Sequence, residues 1–182
     1  MSQHVIILSG PPGAGKTAVA EALCERYDRM LHVEVDELRH MVKAGYRHPW
    51  TGDAQAHEQL VLAARNASAI ARESVAMRYA VVIDDVVPAE MAKVYHEALA
   101  GAGVPVHLVT LLPTIEVTLA RDASRRFSIP ERVHVLHERL ASEAESGALP
   151  GTVLDSSGDR DAALTADRVQ EVAERGTALL LA

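Results

Sequence analysis

The chain is short of cysteine, lysine and aromatic residues, and each shortage removes a class of protein. Cys24 is the one cysteine. A single thiol closes no internal disulfide and builds no cysteine cluster for zinc, so a reducing compartment is expected. Lysine occurs only at 16, 43 and 93. The latter two stand in VKAG and AKVY, so the N-K-x-D type of motif by which a GTPase reads guanine is missing. Aromatics make up 3% of the residues, so a core must come from Val, Leu, Ile and Ala. No apolar run approaches the ~18 residues of a membrane span. The opening MSQHVIILSG has no basic region before its short apolar stretch, so no secretory signal is expected. Like charges form no block, and the net charge of −7 argues against a general nucleic-acid or membrane-surface binder. These absences predict a cytoplasmic protein without a membrane span.

What is present is one domain's worth of chain, 182 residues, nearly half of them apolar. Short apolar runs alternate with helical patterns. VIILS (5–9), LHVEV (31–35), AVVIDDVV (80–87), VPVHLVTLL (104–112) and GTVLDSSG (151–158) read as strands. Helices are predicted over 16–28, 37–42, 54–78, from Pro88 to about 100, 114–126, 128–146 and from Thr165 to about 175. Asp53, Thr114 and Thr165 are the predicted caps, and SIPE (128–131) reads as a capping box. Buried strands with helical crossovers imply a parallel sheet covered on both faces. Ligands of such sheets bind beyond the carboxyl ends of the strands. The residues that follow each run therefore carry the argument: Gly10–Thr17, Asp36, Asp84 with Asp85, Pro113 with Thr114, and Asp155–Gly158. No repeat or linker divides the chain, so 1–182 is read as one domain.

GPPGAGKT (10–17) fits G-x-x-x-x-G-K-[ST] between a predicted strand and a predicted helix, the context that confirms a phosphate loop. Its glycines let several N–H groups point at one phosphate, and the following helix adds its positive end. Lys16 can reach the β- and γ-phosphates, and the Thr17 hydroxyl can ligate Mg²⁺. Asp36, after the second strand, is placed either to accept a proton from an attacking hydroxyl or to cap the helix ELRHM. Asp84 and Asp85 follow the third strand in the Walker B manner. Successive strand residues face opposite sides, so one should serve the metal, with Asp84 favoured, and Asp85 the substrate. Arg121, Arg125 and Arg126 end a predicted helix. Arg121 and Arg125, four apart on one helical face, can form a fork for phosphate oxygens in a short lid over about 121–130, or the three simply suit the helix dipole. The segment GYRHPWTGD (45–53) brings Tyr46, His48 and Trp50 near Asp36, as a pocket wall or as a local packing cluster. The two histidines of HVLHE (134–138) match no zinc motif and read as a solvated helix face.

A motor of the AAA type needs a longer module with an added helical domain, for which this length leaves little room. A kinase needs a phosphate loop, a base, a metal carboxylate and an arginine lid, and candidates for all four are present. In GPPGAGKT, VDELR, VVIDD and RDASRR the chain resembles the small P-loop kinases of the adenylate and shikimate kinase groups. Within them it is most similar to chloramphenicol phosphotransferase and the tunicamycin-resistance proteins. The resemblance spans about Val5 to Gly158. It implies a five-stranded parallel sheet in order 2-3-1-4-5 with helices on both faces. It also implies ATP and Mg²⁺ as cofactors and a small-molecule hydroxyl as acceptor, such as an antibiotic, a nucleoside or a sugar-like alcohol. By that likeness Asp36 is the base, Arg121 lies near the adenine, and Arg125 and Arg126 lie near the transferred phosphate. Gly10, Pro11, Pro12, Gly13, Ala14, Gly15, Lys16, Thr17 and Ala18 hold the nucleotide, with Ser157 and Gly158 in the loop beside the adenine. From their places in the sequence, not from the likeness, Asp36, Arg39, Tyr46, Trp50 and Asp85 are expected to face the acceptor, and Thr17 and Asp84 the metal. The expected assembly is a monomer or homodimer. The alternative reading is a regulatory or toxin-type nucleotide binder with slow hydrolysis.

Overall fold

A computed structural model describes residues 3–124 and 128–182. Its first strand, β1 (Val5–Ser9), is wholly buried and lies at the centre of the sheet. The phosphate loop follows and opens α1 (Lys16–Cys24). Next come β2 (Met30–Glu34), α2 (Val35–His40), α3 (Ala54–Ala76), β3 (Ala80–Asp84) and α4 (Ala89–Leu99). Then β4 (Val106–Leu111), α5 (Ile115–Ala123), α6 (Pro130–Glu145), β5 (Thr152–Leu154), α7 (Ala162–Glu174) and β6 (Leu179–Leu181) complete the described chain. The parallel strands stand in the order β2-β3-β1-β4-β5, as the resemblance implied.

Alternation along the strands sorts the core into two layers. Val5, Ile7, Val81 and Ile83 pack with α3 and α4 on one face, while Ile6, Leu8 and Val82 pack with α1 and α7 on the other. The strand residues of both layers are fully buried, each large aliphatic side chain contributing about 1.5–3 kcal/mol. The inner stripe of α3 is built from Ala63, Ala64, Ala67 and Ala71. With so little side chain there, α3 can lie close against α4 and the sheet.

Several boundaries differ from the sequence reading. α1 ends at Cys24 because the chain tightens into i→i+3 bonds, Arg26 N to Leu23 O and Tyr27 N to Cys24 O. Tyr27 therefore leaves the helix, and its hydroxyl lies 2.8 Å from His4 Nε2. α2 begins at Val35, so Asp36 is not its cap but the second residue of its first turn. Asp53 and Thr114 do cap, accepting from Ala56 N and Val117 N. Thr165 does not: Asp161 accepts from Leu164 N, and Thr165 sits inside α7. The SIPE box does not form either. Ile129 holds the cap position, and Ser128 Oγ donates to Asp122 Oδ2 instead. The strand β6 was not foreseen. β5 covers only Val109–Leu111 of the β4 edge, and β6 pairs antiparallel with the Val106–His107 part that β5 leaves open.

Candidate functional site

The phosphate loop is shaped by three glycines with positive φ, at 10, 13 and 15. The close approaches decide two of them. A Cβ on Gly10 would stand 2.4 Å from Leu111 O, and one on Gly13 would stand 2.3 Å from Thr118 O. No side chain caps α1, whose N-cap is Gly15 in the left-handed region. The first-turn N–H groups are thus left to a ligand, and the helix dipole favours an anionic one. Lys16 Nζ donates to Pro11 O at 3.3 Å and stands 3.9 Å from Asp84 Oδ1.

The end of β3 separates its two acids by the strand's alternation. Asp84 faces α1 and accepts from Thr17 Oγ1 at 2.6 Å. Burial pushes its carboxyl up, but His32, Lys16 and Thr17 outweigh that and hold it below its ordinary value. His32 Nε2, 3.9 Å from Asp84 Oδ2, is buried with no hydrogen-bond partner among the described residues. Asp85 faces the other way and accepts from Tyr95 Oη and Val86 N, both at 2.8 Å. Burial pushes its carboxyl up to about 6 against the pull of Arg39 and these two donors. Asp84 and Thr17 form a pair of hard oxygen donors that suits Mg²⁺, which takes most of its remaining ligands from phosphate and water. No group of three or more acidic, His or Cys side chains fit for a metal occurs among the described residues.

Two cavities open beyond the strand ends. The first, about 480 Å³, is lined by Gly13, Gly15, Lys16, Thr17, Ala18, Glu34, Asp84 and Arg121, among others. The second, about 570 Å³, is lined by the 46–53 loop, α2, α3 and α6. They share one wall made of Pro12, Asp36, Asp85 and Val86. Asp36 is 65% exposed at that wall and paired with Arg39.

The aromatic loop is both a packing cluster and a cavity wall. His48 and Trp50 stack at 4.4 Å, and Tyr46 meets His48 edge-on at 5.2 Å. All three rings line the second cavity. The loop is pinned to α3 by Arg47 N donating to Gln59 Oε1 and by Gln59 Nε2 donating to Gly45 O.

Beside the first cavity Arg121 reaches Ala14 O at 3.4 Å and Ser156 O at 3.3 Å, tying the phosphate loop to the segment after β5. Gly10, Pro11 and Ala14 shape the loop without lining the cavity, and Ser157 and Gly158 also lie outside its lining. Ser157 Oγ instead accepts from Thr114 N and bonds Asp155. α5 stops at Ala123, and the candidate lid residues Arg125 and Arg126 lie outside the described residues. Asp122 is buried, and it accepts from Ser128 and from Ile129 N. In the HVLHE pair His134 is exposed, but His137 Nε2 lies 2.8 Å from Pro113 O. Sequence reasoning missed Arg132 and Arg139, which α6 contributes to the second cavity. Their spacing of seven, two helical turns on one face, was the available signal.

Solved structures agree on the fold. The tunicamycin resistance protein of Deinococcus radiodurans superposes with a TM-score of 0.68 at 22% identity, covering 98% of each chain. The APS kinase CysC of Mycobacterium tuberculosis, solved with AMPPNP and APS, gives 0.63 at 19%, covering 94% of this chain and 98% of its own. Shikimate kinase from Acinetobacter baumannii gives 0.62 at 19%, covering 96% and 95%. No curated protein matches the sequence at a significant level. No helix among the described residues is long and apolar enough to cross a membrane. The model of the AAA_33 family, described as an AAA domain, matches residues 5–150, and the chain belongs to that family.

Proposed function

We propose that the protein is an ATP-dependent kinase acting, as a single domain in the cytoplasm, on the hydroxyl group of a small molecule. The observation that carries this reading is the shared wall: a cavity built for phosphate and a cavity built for something else meet at Asp36. Nucleotide would enter the first, its phosphates held by the N–H groups of Gly13–Thr17 and by Lys16, with Arg121 beside it. Mg²⁺, when bound by Thr17 and Asp84, would neutralise charge on the β- and γ-phosphates. The acceptor would lie in the second cavity, against Arg39, Tyr46, Trp50 and Asp85. Its hydroxyl oxygen attacks the γ-phosphorus, the bond to the ADP oxygen breaks, and the hydroxyl proton passes to the Asp36 carboxylate. Little covalent work falls on the protein, so catalysis is mainly positioning and charge stabilisation. An antibiotic, a nucleoside or a sugar-like alcohol fits a cavity of this size, and phosphorylation of an antibiotic would confer resistance.

The test is Asp36→Asn assayed with ATP against a panel of hydroxyl compounds. Turnover of the true acceptor should fall by about 10²–10⁴ while nucleotide affinity stays unchanged. Unchanged turnover would remove Asp36 as the base. ATP hydrolysis indifferent to every acceptor would favour a slow regulatory hydrolase instead.

A further inference from the structure

The charged groups that line the second cavity are not all paired with one another. Its acids are all engaged: Asp36 with Arg39, Glu90 with Arg139, Asp85 with Tyr95 and Val86 N. Asp53 caps α3 through Ala56 N, and Asp122 holds Ser128 and Ile129 N. Among the basic residues Arg39 and Arg139 have those partners, Arg139 also bonding Glu143. Arg132 has neither an ion pair nor a hydrogen bond among the described residues. It is half-buried, on the face of α6 that lines the cavity. Its surroundings make its charge costly: burial, and then the positive fields of Arg39 and Arg139, lower its pKa. A second donor nearby is also unspent, since Arg39 Nε is buried without a hydrogen-bond partner.

A half-buried guanidinium with no carboxylate assigned to it among the described residues, in the positive fields of Arg39 and Arg139, leaves donors unspent in the cavity wall. Guanidinium donors match planar and tetrahedral oxyanions, often two bonds at a time. We propose that Arg132, with Arg39 and Arg139 beside it, binds an oxyanion carried by the acceptor: a phosphate, sulfate or carboxylate group at the end of the molecule away from the reacting hydroxyl. This rests on the kinase reading and narrows it, because a neutral alcohol would leave Arg132 without its partner.

The protein supplies its own probe. Trp50 is the only tryptophan and lines the same cavity. The full chain is first saturated with a non-hydrolysable ATP analogue and Mg²⁺, so that the phosphate loop cannot take up the test anion. Sulfate, inorganic phosphate and benzoate are then titrated at constant ionic strength while Trp50 fluorescence is read. The expected result is saturable binding of at least one anion, weakened about tenfold in Arg132→Gln and by less in Arg132→Lys, which keeps the charge but not the fork. A response to sulfate and phosphate alone assigns a tetrahedral oxyanion, and a response to benzoate alone assigns a carboxylate. Equal binding in wild type and Arg132→Gln, no response to any of the three, or equal loss in two folded variants overturns the proposal. Phosphoryl transfer separates this failure from that of the kinase reading. Transfer to a neutral alcohol with a KM untouched by Arg132→Gln leaves a kinase without the anion site. Anion binding through Arg132 with no transfer to any alcohol leaves the site without the kinase.

Discussion

The two cavities that meet at Asp36 are built from different material. The first cavity is built around the backbone of one unbroken stretch, Gly10–Thr17, whose glycines curl it and whose helix has no side-chain cap, with Glu34, Asp84 and Arg121 completing its lining. The second cavity is side chains from α2, the 46–53 loop, α3, the turn after β3, and α6. A phosphate looks the same whatever molecule carries it, so a backbone cradle suffices and tolerates almost no change. An acceptor must be told from other acceptors, and that needs side chains whose replacement leaves the fold intact.

Three substitutions sharpen or break this contrast, and the harshest is Gly10→Ala. At φ +147 with Leu111 O in the way, any Cβ forces the loop and β4 apart. The expected cost is about 3 kcal/mol or more in chemical denaturation, with loss of nucleotide binding. An alanine variant of wild-type stability that binds ATP would show the cradle to be as forgiving as the side-chain wall.

Asp85→Asn comes next and tests the shared wall. A carboxyl whose folded pKa is raised to about 6 favours the folded state only while protonated. That contribution is full below the unfolded value near 3.9 and is lost as pH rises through about 6. The variant should therefore exceed wild type in stability by on the order of 1–3 kcal/mol at pH 8, the gap closing as pH falls towards about 4. Thermal unfolding of both proteins across that range measures it. Taking the difference cancels His4 and His107, whose burial lowers their pKa values and costs stability in acid in both proteins. A gap that stays constant with pH would mean that Asp85 is not strained by its burial.

Trp50→Ala should be the mildest. Half-exposed and stacked only on its own loop, Trp50 contributes little to the core. We expect KM for the acceptor to rise about fivefold, as loss of one aromatic contact would produce, with KM for ATP unmoved. An equal rise in both constants would mean that the two cavities do not act separately.

The same contrast explains what could be read from the sequence. Gly10–Thr17 and the Asp84–Asp85 pair are local patterns, and strand alternation alone was enough to turn one acid towards Thr17 and the other towards Tyr95. Caps were less legible. Asp161 and Thr165 are both capping types four residues apart, and only the bond to Leu164 N separates them. Ser128 has the right chemistry for a cap, yet the buried Asp122 carboxylate competes for it. Arg132 and β6 were missed for a different reason. What gives each its place is a partner far along the chain, the second cavity for one and the open edge of β4 for the other. The spacing of seven puts Arg132 and Arg139 on one face of α6, but neither it nor any pattern within ALLLA reports which neighbour that face or strand meets.

The wall of Pro12, Asp36, Asp85 and Val86 has a practical consequence for chemical intervention. Because the cavities abut instead of lying apart, one compound can occupy both through a short tether, with its linking atoms passing Asp36. Tethering turns the second binding event into an intramolecular one, with an effective concentration in the millimolar range for a short flexible link. If the protein is the kinase proposed above, two weak fragments, an adenosine piece and an acceptor piece, would then combine into a tight bisubstrate inhibitor. Its selectivity would come from the side-chain half, since the backbone half offers every phosphate the same welcome.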